Sequence, residues 1–305
     1  MATSAADANL STNNLNTNNL NTNSANIDAS SNLNTNNLNT NNAHINASSN
    51  TLELVVEVAV LTIRQGRLSV VATRREQLPH RGAWSLLSEP LQAGEDTDAV
   101  AERVLRTQAG AHSGRDTMFV EQLRTYSAPG RVPDRWVASV AYVALIADVG
   151  LSVGELGAVD TRVFAIDDLG VTVGDSSAAE PQSSVPEAPS QETGRVLAFD
   201  HDTILVDAIE RVRAKFEYTT VATSLVTEPF TVPELRRVYE SVWGVNLHPA
   251  NFRRKVLATP GFVVPAAPVL GDGVEGGERR GPDLFRRGTA ALLHPAMLRP
   301  APTDE

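Results

Sequence analysis

Between Trp84 and Ala111 the chain reads WSLLSEPLQAGEDTDAVAERVLRTQAGA, and its chemically capable side chains are Glu89, Glu95, Asp98, Glu102 and Arg103. Carboxylates gathered on one helix face would hold Mg²⁺, a hard cation that needs several oxygens. Such an ion activates water and neutralises a pyrophosphate. The spacing predicts a helix over roughly 97 to 109, in which positions 104, 107 and 108 stand at i, i+3 and i+4 and share one face. Val104, Thr107 and Gln108 occupy that face and bring no charge. Asp98 and Glu102 lie off this register and are expected in solvent. No catalytic residue and no metal ligand is assigned. Asp200, His201 and Asp202 look like a ligand cluster, but helix capping is the role expected at that junction.

A second set of residues points to nucleic acid. The chain has 305 residues and a net charge of -10, unevenly spread: residues 1–203 carry -11 and residues 204–300 carry +3. The basic third is also the helical one. Ile204, Leu205, Ala208, Ile209, Val212 and Phe216 predict a helix over about 203–216, capped by Asp200 or Asp202. Thr231 and Glu234 form a capping box for the next helix, with Pro233 in its first turn and Phe230 and Leu235 as a staple. Leu235, Val238, Tyr239, Val242 and Trp243 form its buried stripe, and Gly244 ends it. A third helix opens at Pro249 and runs to Thr259. Phe252, Val256 and Leu257 are expected inside and Asn251, Arg254 and Lys255 outside, with Arg253 at the boundary.

Two helices with a short turn, the later one basic outside, fit a helix-turn-helix. Guanidinium and ammonium groups supply phosphate contacts, and Asn or Arg near the helix start can read base edges. Apolar stretches at 262–270 and 283–293 flank the loop GDGVEGGERRGP, as in a wing with Arg279 and Arg280 near its tip. The candidate DNA contacts are Arg237, Asn251, Arg253, Arg254, Lys255, Arg279 and Arg280.

The rest of the chain must position these groups. Residues 1–50 repeat Asn, Thr and Ser words with too few large apolar residues to offset ordering entropy, and disorder is expected. From Leu52 the Val- and Ile-rich run predicts two strands joined at Gln65-Gly66, and further strands follow at MFVEQLRTYSAP, RWVASVAYVALIADV and TRVFAIDDL. Residues 172–194 read as a flexible insertion. There is no cysteine, which excludes disulfides and thiolate zinc sites. With no long apolar run and no signal-peptide pattern, a cytoplasmic protein without membrane association is expected.

The frame of Glu95, Arg103, Leu105, Gly110 and Ala111 resembles the Nudix box, G-x5-E-x7-R-E-U-x-E-E-x-G-U, with Glu89, Val104, Thr107 and Gln108 in place of its opening glycine and later glutamates. EQLRTYSAPGR, SVAYVAL, LAFDH and FTVPELRRVYES with NFRRK further resemble the Nudix-related transcriptional regulators of NAD metabolism, the NrtR family. The resemblance implies an α+β chain: a Nudix-like α/β/α sandwich over 51–203 followed by a winged helix-turn-helix over 204–300. It also implies a repressor of NAD biosynthesis or salvage genes that binds double-stranded operator DNA as a homodimer. ADP-ribose or a related NAD metabolite, sensed without catalysis or cofactor, would release the DNA. Arg74, Arg75, Arg81, Trp84, Arg124 and Tyr126 are the candidate effector contacts. The alternatives are a Nudix hydrolase of ADP-ribose or another nucleoside diphosphate, and a protein-docking module.

Overall fold

The computed structural model describes residues 51–111, 118–148, 160–171, 197–266 and 283–300, all within one unit, Ala47–Glu305. The Asn-rich stretch, the 172–194 insertion and the wing loop with Arg279 and Arg280 lie outside the described residues.

β1 (Glu53–Arg64) and β2 (Arg67–Arg74) are joined by Gln65 and Gly66, whose φ values of 52° and 73° suit a two-residue turn that matches the twist of the strands. β3 (Trp84–Ser85), β4 (Leu87–Pro90), β5 (Phe119–Tyr126), β6 (Val137–Leu145) and β7 (Thr161–Ala165) complete the sheet. Its order is β3-β2-β1-β6-β5, with β4 added to β1 and β7 to β2. β1 and β6 run parallel from Glu53↔Val137 to Leu61↔Leu145, and the other pairs are antiparallel.

Because side chains alternate across a strand, β1 serves two cores. Val56, Val58 and Val60 meet Val100, Ala101, Val104 and Leu105 of α1 (Thr97–Gln108). Ala59 and Leu61 face the other way, into the cluster that holds Ile204, Leu205, Ala208, Ile209 and Val212 of α2 (His201–Tyr218). Each fully buried Val, Leu or Ile among these contributes about 1.5–3 kcal/mol. The result is an α/β/α sandwich whose outer helix, α2, continues into the next layer of structure.

That layer is a winged helix-turn-helix. α3 (Val232–Trp243) begins with the expected capping box, Glu234 N–H donating to Thr231 Oγ1 and Thr231 N–H to the Glu234 carboxylate, and ends at Gly244 in the left-handed region. α4 (Pro249–Ala258) packs on it through Phe252 and Val256. β8 (Val263–Pro265) and β9 (Phe285–Arg287) form the base of the wing. Gly288 is obligatory there, since a Cβ on it would lie 2.0 Å from the Gly261 carbonyl oxygen. The tail returns to α2, with Leu293 N–H on the Tyr218 carbonyl and Met297 N–H on that of Glu217. The apolar cluster on the α2 side of the sheet runs without interruption through Phe216, Tyr239 and Trp243 to Phe252 and Phe285.

Three expectations are corrected. Val104 is fully buried against the sheet, because it continues the Val100 stripe by one helical turn, and so it does not share an open face with Thr107 and Gln108. Leu257 is 46% exposed. With Phe252 and Val256 inward, the next residue turns about 100° past the core. α2 starts at His201, earlier than expected, and the Asp200 side chain makes no cap bond.

Candidate functional site

Where α2 leaves the sheet, charged groups are buried together. Arg131 hangs from the loop between β5 and β6, its side chain only 2% exposed. It donates to Asp200 at 2.6 and 2.9 Å and to Ser139 Oγ at 2.5 Å, and it approaches Glu57 at 3.4 Å. Ser139 Oγ in turn donates to Glu57 at 2.8 Å. His201 Nδ1 accepts the Leu86 N–H at 2.9 Å, which places the ring proton on Nε2, 3.5 Å from Glu57. Burial opposes charge on Glu57, but His201, Arg131 and Ser139 outweigh it and hold the carboxylate below its usual range. Asp200 and His201 are thus bound to the sheet, contrary to the capping role expected for them. Arg131 was not among the expected site residues. The signal available was Glu57, a carboxylate inside a Val-rich run that had to have a buried partner.

Beside this junction lies a crowd of cations and rings. Arg75 Nε donates to the Pro79 carbonyl, and its guanidinium sits 4.5 Å over the Phe199 ring. His80 meets the same ring edge-on at 4.9 Å. His80 and Phe199 both hold positive φ, at 63° and 58°, a conformation rare outside glycine. Burial and Arg135 lower the Arg75 pKa, while burial, Arg75 and His201 lower that of His80. Such a cluster would be relieved by an anion. Arg74 donates to the Gly82 carbonyl with Asp160 at 3.9 Å, and Arg81 is exposed on the same loop. Trp84 packs edge-on against Phe164 at 4.5 Å, with Arg162 over its ring at 5.5 Å.

Arg124 and Tyr126 stand elsewhere, on the edge strand β5. Tyr126 Oη donates to Asp207 of α2 at 2.7 Å, and Arg124 donates to the same oxygen while stacking over the tyrosine ring. One turn further along, Arg211 and Lys215 of α2 pair with Glu121 of β5. These side chains fasten α2 to the sheet.

The α1 region offers little to a metal. Arg103 is paired with both Glu89 and Glu95, and Thr107 and Gln108 donate to Glu89. Asp98, expected in solvent, accepts from Tyr142 Oη at 2.5 Å. Among the described residues no group of three or more His, Cys, Asp or Glu is placed to hold a metal ion. A carboxylate already neutralised by arginine is a poor oxygen donor to Mg²⁺, so this donor set does not fit the ion.

On the winged helix, Asn251, Arg254 and Lys255 are exposed on α4, and Arg237 is exposed on α3. Among the described residues no carboxylate pairs with Arg254 or Lys255. Arg253 differs: its Nη2 donates to Asp283 at 2.8 Å, just before β9. Arg236 and Arg287 are structural, holding Glu240 and the Leu247 carbonyl, and Thr223 and Ser224, respectively. Arg286, exposed on β9, adds a cation to the wing that sequence spacing did not single out.

Residues 222–286 match the family model described as the NrtR DNA-binding winged helix domain. Over 206 residues the chain is 26% identical to the ADPR responsive transcriptional repressor NtrR of Acinetobacter baylyi, covering 67% of this chain and 72% of that protein. Shewanella oneidensis NrtR complexed with a 27mer DNA superposes with a TM-score of 0.57 at 23% identity, over 78% of this chain and 93% of that one. A MutT/nudix family protein from Enterococcus faecalis gives 0.55 at 22% identity, over 78% and 86%. The fold is therefore a Nudix-like sandwich followed by a winged helix.

Proposed function

We propose, from the premise that residues 222–286 form an NrtR-family DNA-binding winged helix, that this chain is a transcriptional repressor of genes of NAD metabolism. In this reading residues 51–203 sense an ADP-ribose-type metabolite, residues 204–300 bind operator DNA, and two copies act as a homodimer. The observation that carries it is the outer row of α4, where Asn251, Arg254 and Lys255 are exposed on a capped helix within a winged fold. Leu257 extends that row with an apolar group suited to a thymine methyl. The relatives support both parts, since one is named as ADPR responsive and another is crystallised with DNA.

Recognition of a diphosphate falls to Arg75, with Arg74 at the end of β2 and Arg81 on the loop that follows, while Phe199, His80 and Trp84 offer ring faces. An anion drawing Arg75 off Phe199 would act on the residue directly before Asp200 and His201, where α2 is bound to the sheet. That is a short physical route from ligand to the DNA-binding helices. Hydrolysis is not part of this reading, because Arg103 neutralises Glu89 and Glu95 and Val104 is sealed in the core. Incubation with ADP-ribose and Mg²⁺ should yield no AMP above a protein-free control, and Mg²⁺-dependent release lost in Glu95→Gln would contradict the proposal.

The DNA interaction is tested by anisotropy with a labelled duplex from upstream of an NAD gene, against random duplex, across a salt series. Replacing Arg254 and Lys255 by Gln should reduce the slope of log K on log salt by about two, since each phosphate left without its cation removes about 0.9. An unchanged slope, or no preference of the intact protein for any duplex, would sink the reading.

A further inference from the structure

Arg253 and Asp283 form an ion pair across the face that, on the reading above, meets DNA. Arg253 projects from the wing side of α4, and its Nη2 donates to Asp283 Oδ2 at 2.8 Å, where the chain returns into β9. Both side chains are exposed, at 47% and 67%. An exposed pair of this kind adds little stability, and neither residue packs into the core, so the fold does not account for it. A carboxylate at the wing also runs against simple affinity, since it repels the phosphates that the neighbouring cations attract.

We propose that Asp283 is a specificity-determining residue that positions Arg253 for base readout; the inference rests on the DNA-binding reading. Arginine presents five N–H donors in a rigid fork. Asp283 accepts from Nη2 and restrains the guanidinium at that end, leaving the remaining donors for the O6 and N7 acceptors of a guanine in the major groove, the commonest specific arginine contact. Held this way, the guanidinium is kept off the nearest phosphate, which any sequence would provide. The carboxylate also disfavours registers that would bring backbone phosphate against the wing. Discrimination by an unfavourable interaction as well as a favourable one is the pattern expected of a selective interface.

The experiment uses the full chain and duplexes that it enriches from a random pool, with random duplex as reference. Asp283→Asn should tighten binding to random duplex by roughly five- to tenfold at about 0.1 M salt, and steepen its salt slope by about 0.9, as one more phosphate is neutralised. The ratio of selected to random affinity should fall. Replacing guanines of the selected site one at a time by 7-deazaguanine, which lacks the N7 acceptor, should expose one position where the intact protein loses affinity and Arg253→Gln does not. In the Arg253→Gln background Asp283→Asn should tighten random binding clearly less than in the intact chain, since only the carboxylate's own repulsion is then relieved. Equal effects on selected and random duplex, or an unchanged salt slope, would overturn the role of Asp283 while leaving DNA binding intact. Failure of the intact chain to enrich any sequence would overturn the DNA reading itself, and this inference with it.

Discussion

Arg131 reaches from a loop into the interior, and Glu57, Ser139 and Asp200 all accept hydrogen bonds from its buried guanidinium. Breaking one partner out of a buried ion cluster leaves charge uncompensated and costs about 3–5 kcal/mol. Arg131→Gln should therefore lower urea-unfolding stability by that amount, and a loss under about 1 kcal/mol would mean that the cluster is not closed as described. The same site sets an acid limb. The Glu57 carboxylate is depressed from 4.5 to about 2, so its contribution is complete above about pH 4.5 and is lost as pH falls through that window. In Glu57→Gln the fall in stability between about pH 4.5 and 2 should be shallower. Arg131 was hard to find in the sequence because a lone arginine in a loop has no periodicity and its charged partners, Asp200 and Glu57, lie 69 and 74 residues away. The capping box at Thr231 and Glu234 was plain, because both halves of that interaction sit three residues apart.

Among the elements, helices α3 and α4 were legible, since apolar spacing and punctuation residues act locally, within one or two turns. α1 was legible as a helix, but its faces were misassigned: the box pattern grouped Val104 with Thr107 and Gln108, whereas the apolar stripe through Val100 takes Val104 into the core. β8 and β9 are set by a long-range approach that only one residue type allows. Gly288→Ala would press a methyl group into the Gly261 carbonyl and force the base of the wing apart. Overpacking of this kind costs about 1–3 kcal/mol. The variant should unfold at lower urea, and its wing amides should exchange faster with solvent while those of the β1–β6 ladder stay protected. Wild-type stability in this variant would show that the wing base is not closed as drawn.

At the scale of the whole molecule, α2 is the outer layer of the sandwich and also the first helix of the winged fold, and one apolar cluster runs through both. A helix so placed transmits a change at one end only if its fastenings to the sheet change. Those fastenings are Asp200 on Arg131, Asp207 on Arg124 and Tyr126, and Arg211 and Lys215 on Glu121. Their N-terminal member adjoins Phe199 and Arg75. Coupling of this kind is reciprocal: whatever factor the metabolite imposes on DNA affinity, DNA must impose on metabolite affinity. The most direct test is the affinity of the intact chain for an NAD-gene upstream duplex with and without saturating ADP-ribose, paired with calorimetric ADP-ribose binding with and without that duplex. ADP-ribose should weaken specific DNA binding severalfold, DNA should weaken ADP-ribose binding by the same factor, and Arg75→Gln should abolish both effects. Specific DNA binding that saturating ADP-ribose leaves unchanged would contradict this coupling.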